Sequence, residues 1–377
     1  MQDFDIPAHE KFSKALEILN TAVRQRAFPG AVLAVGHEGK LAVLPAGRLD
    51  YLEDSPPATA ETIYDLASLT KPVATTTAAM ILADRGMLRL DRLVADYLPD
   101  FLQPFVTSVD PLYDARNEVT VRHLLAHTSG LPAYEKFFLR AREKSHVLEE
   151  ALALPLEDAP GRKTLYSDPG FILLGEIVER VSEKKLDEWC QKEIFEPLRM
   201  QDTCFNPAQD RWQRIAPTEL EESFRNRLIR GEVQDENAWV MGGVAGHAGL
   251  FGTVGDMASF CRMMLQEGKT NGSQLVQAAT IREFTQAVHV AEGAMQEASG
   301  RGLGWDKPSE PSSSGRYFSR RSYGHLGFTG TSLWIDPQKA LFVILLTNRV
   351  HPNRSNEAIR QVRPAVHDAV VEALGFE

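Results

Sequence analysis

The stretch DLASLTKPVATT, residues 65–76, sets Ser68 three residues before Lys71, with Pro72 next and apolar helical spacing beyond. Residues three apart on a helix share a face about one turn apart, so the Lys71 amine can reach the Ser68 hydroxyl. A serine hydroxyl is a weak nucleophile until a base removes its proton. A lysine can serve if burial lowers its pKa towards neutrality. Pro72 fits a helix that begins near Ser68, where first-turn N–H groups have no intrahelical partner. Those N–H groups can also polarise an acyl oxygen. The pattern S-x-x-K also arises by chance, with the serine an N-cap and the lysine solvated. The rest of the chain has to supply partners for it.

The chain has 377 residues, enough for a large core and two lobes. Its net charge of −10 disfavours nonspecific attachment to nucleic acid or anionic membranes. Cys190, Cys204 and Cys261 are odd in number and form no C-x-x-C, which fits a reducing compartment rather than disulfides or structural zinc. The start MQDFDIPAHEKFSK lacks the apolar core of a signal peptide, and no run is long enough to span a bilayer. As written, the chain reads as cytoplasmic; a lost export signal would make it an exported protein.

Phe12, Leu16, Leu19 and Val23 recur at helical spacing, predicting an amphipathic helix over 8–26. AVLAVGHEGKLAVLPAG holds two apolar runs around His37–Lys40, a hairpin signal. From Ser68 to about residue 265 the periodic segments are mostly helical. Strands return in SLWIDP and LFVILLTNR, and a last helix runs from about residue 355, with Pro364 bending it. Strands at both ends around a helical middle predict an α/β fold: an antiparallel sheet from the two termini with flanking helices, and an inserted helical lobe. The expected division is 1–62 with 320–377 for the sheet, and 63–319 for the lobe. Residues 306–321, DKPSEPSSSGRYFSRR, read as a mobile surface loop.

Other signals fail. Gly268-Lys269-Thr270 lacks the first glycine of a phosphate-binding loop, since Met263 stands there, and MGGVAGHAGLFGTVG has no G-x-G-x-x-G register. His123 and His127 are spaced for one helix face, but Leu124 stands where H-E-x-x-H needs glutamate, so packing or hydrogen-bonding roles are expected and no metal. No G-x-S-x-G occurs, which excludes the α/β-hydrolase nucleophile elbow.

Two later stretches supply the partners. Tyr166-Ser167-Asp168 precedes a strongly apolar helix, and His325-Leu326-Gly327 and Phe328 lie in YGHLGFTGTSLWIDP at the start of a strand. A helix-initiating S-x-x-K, a Y-x-polar turn and a basic-x-glycine strand follow in that order. Here the chain resembles the serine β-lactamase and penicillin-binding protein superfamily, in the branch of class C β-lactamases and β-lactamase-like esterases. LLAHTSGLP (124–132) and GGVAGHAGLFGT (242–253) are similar to stretches of that branch, and the resemblance covers nearly the whole chain. It implies the β-lactamase/transpeptidase-like fold, no cofactor, and a small-molecule ester or amide substrate. It implies that Ser68 becomes acylated, Lys71 helps deprotonate it, and Tyr166 is the partner base or relay, with the order of proton transfer open. The N–H groups of Ser68 and Phe328 would form the oxyanion hole, and Asp168, His325 and Gly327 would contact substrate.

Two departures bear on the substrate. The family's third motif is usually Lys-Thr-Gly, whose cation and hydroxyl hold a substrate carboxylate. Here it is His325-Leu326-Gly327, and an imidazole with an ordinary pKa of about 6.5 beside a leucine is a poor anion site. Asp168 replaces the usual asparagine, and an ionised carboxylate cannot donate a hydrogen bond to a substrate carbonyl, so Asp168 is open to orienting Lys71 instead. Both favour a carboxylesterase acting on small esters. The alternatives are a class C-type β-lactamase or D,D-peptidase, and an inactive binding protein on the same scaffold. Phe137, Phe138, Trp239 and Trp305 are candidates for an apolar pocket or for core.

Overall fold

The hairpin expected around His37–Lys40 forms, as β1 (Gly30–His37) and β2 (Lys40–Gly47) with His37 opposite Lys40. Glu38 and Gly39 make the turn with φ of 49° and 81°, the left-handed pair that matches the twist of a two-residue hairpin. In the computed structural model, which describes residues 2–102, 112, 114–288 and 300–376, three late strands join this hairpin. They are β3 (Tyr323–Leu326), β4 (Ser332–Asp336) and β5 (Leu341–Thr347). The order is β3-β4-β5-β1-β2, antiparallel throughout, so β5 closes the sheet by pairing with β1, with Leu345 opposite Leu33.

Side chains alternate faces along a strand, and both faces of this sheet are covered. Ala31, Leu33 and Val35 of β1 pack with Leu341, Val343 and Leu345 of β5 against the terminal helices Ser13–Arg24 and Ile359–Ala373. Val32 and Ala34, with Phe342, Ile344 and Leu346, face the opposite way into the larger core, which the helix Val254–Leu265 covers. Burial on both sides is why β5 reads as an unbroken apolar run rather than an alternating one. The chain between β2 and β3 is mostly helical. It also holds a small sheet of two- and three-residue strands, Tyr64–Asp65, Leu250–Gly252 and Cys204–Phe205, too short to leave a periodic trace.

Two expectations need correction. The first helix is split at Phe12 into Ala8–Lys11 and Ser13–Arg24, with the fully buried Phe12 ring edge-on to Phe4 at 5.2 Å. Residues 306–321 are not a loose loop. Asp336 at the end of β4 accepts from Ser319 N at 2.8 Å and Ser319 Oγ at 2.7 Å, and Asp368 accepts from Arg316 N at 2.6 Å. Phe318 packs edge-on to Trp334 and His367. Proline and serine content marked absence of regular structure, which is a different property from absence of tertiary bonds. Among the described residues no helix is long and apolar enough to cross a membrane.

Asp336→Ala should orphan the Ser319 donors, at about 1–3 kcal/mol for each buried group left unpaired. Limited trypsinolysis should then cut at Arg320 and Arg321, where the wild-type chain resists; equal resistance of both proteins would show that these bonds do not hold the segment.

Candidate active site

Ser68 lies in a tight turn whose geometry is set before any helix begins. Ala67, one residue earlier, has φ 49°, a left-handed conformation that costs a non-glycine residue about 1–3 kcal/mol. Buried Asp65 holds it there, accepting from Ala67 N at 2.8 Å and from Gln234 N at 2.6 Å. Burial pushes the Asp65 carboxyl up to about 6, against these two backbone donors. Ala67–Leu69 form a single 3-10 turn, Lys71–Thr76 run on with π-type bonding, and regular α-helix starts only at Thr77. The expected helix start at Ser68 is therefore a composite, but it still puts Ser68 and Lys71 on one side.

The large sheet clamps the same turn. Thr329 Oγ1 donates to Asp65 O at 2.7 Å and Thr331 Oγ1 to Leu66 O at 3.0 Å. Between these threonines and β3, a Cβ at Gly327 would lie 2.0 Å from Thr331 Oγ1 and 2.6 Å from Leu66 O, so only glycine fits. Phe328 follows, with its ring 46% exposed and backed by the Arg349 guanidinium at 4.6 Å. Among the described residues no acceptor lies against the Phe328 N–H.

Lys71 is fully buried, and its ammonium has three donors. It contacts Ser68 Oγ at 3.1 Å, His247 O at 3.0 Å and Asp168 Oδ1 at 2.7 Å. Burial alone would lower the lysine, which is the condition for a lysine to act as a neutral base. The Asp168 and Tyr166 charges beside it outweigh burial and hold Lys71 above its ordinary value. The net direction for Lys71 is therefore upward, with its ammonium paired to the Asp168 carboxylate. Asp168 starts the helix Asp168–Ser182 behind its N-cap Ser167, so the residue that departs from the family pattern is the one that meets Lys71.

The Tyr166 ring lies 4.8 Å from Lys71 Nζ, 4.6 Å from the His127 ring and 5.9 Å from the His325 ring. Burial raises the Tyr166 phenol, while the Lys71 cation and hydrogen bonds with Lys71 and Ser68 pull it the other way. His325 is buried on β3 with Nδ1 2.8 Å from Leu326 O, and burial pushes it down to about 4. At that value the ring carries no charge near neutral pH. His123 and His127 do not share a helix face. The helix Val121–Leu125 ends before His127, which turns away with φ 57°, while His123 caps that helix through Thr120. No cluster of potential metal ligands occurs among the described residues.

These groups open onto a cavity of about 720 Å³ lined by Ser68, Tyr166, Asp168, His325, Gly327 and Phe328 among others. Of the four aromatic candidates Phe138 lines it; Phe137 and Trp305 are core, and Trp239 packs edge-on to Phe224 instead. Sequence reasoning missed Asp65 and the pair Asp235–His247, whose 3.0 Å contact sets the loop that presents His247 O to Lys71. His247 sits in the glycine-rich phrase 242–253, the one signal that pointed to it.

The sequence profile of the family described as Beta-lactamase matches residues 14–367. A protein of Escherichia coli (strain K12) named "Putative D-alanyl-D-alanine carboxypeptidase" is 35% identical over 323 residues, 80% of this chain and 72% of that one. The "N-acetylmuramyl-L-alanine amidase" of Bacillus subtilis (strain 168) is 35% identical over 355 residues, 86% of this chain and 78% of its own. Among solved structures, EstCE1, a hydrolase with promiscuous acyltransferase activity, superposes with a TM-score of 0.75 at 23% identity, covering 96% of this chain and 99% of that one. A class C β-lactamase from Rhodobacter sphaeroides gives a TM-score of 0.72 at 19% identity, over 96% and 99%. Together with an antiparallel sheet drawn from both ends of the chain, these matches show that the chain belongs to the beta-lactamase family and is a serine hydrolase of that fold.

Proposed function

We propose that the reaction runs through an acyl-Ser68 intermediate, with Lys71 and Tyr166 managing the proton. The observation that supports this most is the contact of Lys71 Nζ with Ser68 Oγ at 3.1 Å inside a buried, carboxylate-paired cluster. Because Lys71 donates to Ser68 Oγ, the serine hydrogen is left to point at the Tyr166 oxygen. Tyr166 takes that proton, and the Lys71 cation stabilises the charge the phenol bears when ready to accept it. Ser68 Oγ bonds to the carbonyl carbon, and the developing oxyanion meets the N–H groups of Ser68 and Phe328. Tyr166 returns the proton to the departing alcohol or amine. Water then attacks the acyl group along the same path, releasing the acid and restoring Ser68.

Within this chemistry the third motif favours a small carboxylic ester. Neutral His325 and apolar Leu326 leave no cation and hydroxyl for a carboxylate beside the scissile bond. A second reading, the amide bond of a cell-wall peptide fragment, has its own support. The two curated relatives are named for such bonds. In addition, Arg363 lines the cavity, donating to Gly327 O and Thr331 O while its Nε has no hydrogen-bond partner among the described residues.

A fluorophosphonate should add one label, on Ser68, by intact mass and peptide mapping. Labelling that persists in Ser68→Ala would place the nucleophile elsewhere and end the acyl-Ser68 reading.

The pH dependence tests the cluster. Lys71 and Tyr166 titrate as a coupled pair, and the working form is the pair that has lost one proton, so kcat/KM should rise on the alkaline side. The Asp168 carboxylate raises both partners. Asp168→Asn should therefore shift that rise to lower pH; an unmoved or alkaline-shifted limb would show that Asp168 does not set the charge of the pair.

For substrate choice, nitrophenyl acetate, a chromogenic cephalosporin and N-acetylmuramyl-L-alanine should be compared by kcat/KM. The ester should lead, and His325→Lys with Leu326→Thr should raise cephalosporin turnover by about ten- to a hundredfold, the worth of one charge-assisted hydrogen bond to a carboxylate. A leading cephalosporin would favour the β-lactamase alternative, and a leading muramyl amide the second reading.

A further inference from the structure

We propose that His127 is a positioning residue that sets Tyr166 for proton transfer, an inference that rests on the role of Tyr166 given above. Tyr166 lies in the irregular stretch 164–167, where no helix or strand pairing fixes the backbone. His127 grips that stretch on both sides of the tyrosine. Its carbonyl oxygen accepts from Leu165 N at 2.8 Å, and its Nδ1 accepts from Ser167 N at 3.0 Å. Its ring then lies between the Tyr166 ring at 4.6 Å and the Phe171 ring at 5.0 Å. One residue thus fixes the backbone before Tyr166, the backbone after it, and one face of its ring.

Reaching all three places has a conformational cost. His127 stands at φ 57°, in the left-handed region, immediately beyond the helix Val121–Leu125. The side chain is buried, with the residue 2% exposed, and Ser167 can donate to Nδ1 only while that nitrogen carries no proton. Burial first, and then the Arg301 and Lys71 cations, hold His127 well below its ordinary value and favour the neutral ring, and the Ser167 N–H selects the tautomer whose Nδ1 accepts. Precision matters here because a misplacement of about 1 Å in a reacting group can cost on the order of 10²-fold in rate.

The test compares two polar replacements of similar bulk. His127→Asn places an amide oxygen where Nδ1 stood and tolerates a positive φ, whereas His127→Gln moves the acceptor to the Nε2 position. His127→Asn should keep kcat for nitrophenyl acetate within about fivefold of wild type, and His127→Gln should lose about ten- to a hundredfold with KM little changed. Equal kcat in the two variants, at whatever level, would overturn the proposal. The Gln loss should also vanish in a Tyr166→Phe background, because His127 acts through the phenol. A loss that persists there, on top of an impaired Tyr166→Phe, overturns the positioning role alone. Full activity of Tyr166→Phe by itself overturns the base assignment instead. If His127→Gln does not fold, the alkaline limb of His127→Asn decides: coincidence with wild type supports the grip on Ser167 N, and displacement overturns it.

Discussion

A lysine with no exposure to solvent is the constraint on which the centre of this molecule depends. An ammonium in such a place requires an acceptor for each donor, and an uncompensated buried charge costs several kcal/mol. Three separate parts of the chain supply these acceptors to Lys71: the Ser68 hydroxyl one turn away, the Asp168 carboxylate at a helix start, and the His247 carbonyl in a glycine-rich loop. Meeting that requirement forces the three to converge. The convergence that satisfies the lysine is also the one that places a hydroxyl beside a phenol at the floor of a cavity.

The sheet and the turn before Ser68 share the work of holding this arrangement. Asp65 and the two threonines after Gly327 tie the turn to β3 and β4, so the candidate oxyanion donors on Ser68 and Phe328 belong to one rigid body. The closest approach is permitted because residue 327 has no Cβ. Rigid elements place polar groups more precisely than loops do. Tyr166 is the exception, since it stands on irregular backbone and depends on bonds from outside its own segment.

Replacing an asparagine-type partner by Asp168 changes the electrostatics more than the shape. A carboxylate beside Lys71 holds the lysine above its ordinary value, and a cation beside a phenol favours the phenolate, the division of roles proposed above. The neutral His325 across the cavity works in the same sense by adding no second cation there. The positive charge that remains near the third motif comes from Arg301, whose guanidinium lies 5.1 Å from the Tyr166 ring, and from arginines of the C-terminal segment, among them Arg349 and Arg363.

How much of this was legible beforehand follows from how local each feature is. The S-x-x-K spacing, the Tyr166–Asp168 turn and the β3 motif are contiguous patterns, so their members and order could be read directly. So could the hairpin and the terminal strands, because alternation and turn residues act over a few positions. The direction in which Lys71 shifts was not legible, because burial is visible in a sequence only as hydrophobic company, whereas the compensating Asp168 lies 97 positions away. The same holds for residues 306–321, whose order comes from Asp336 and Asp368, and for His127, whose bond to Ser167 beside Tyr166 crosses 40 positions. The sequence by itself determined which chemical groups this protein carries and the fold that gathers them. Only the tertiary structure decided their charges and their mutual orientation, because those depend on neighbours that chain proximity does not specify.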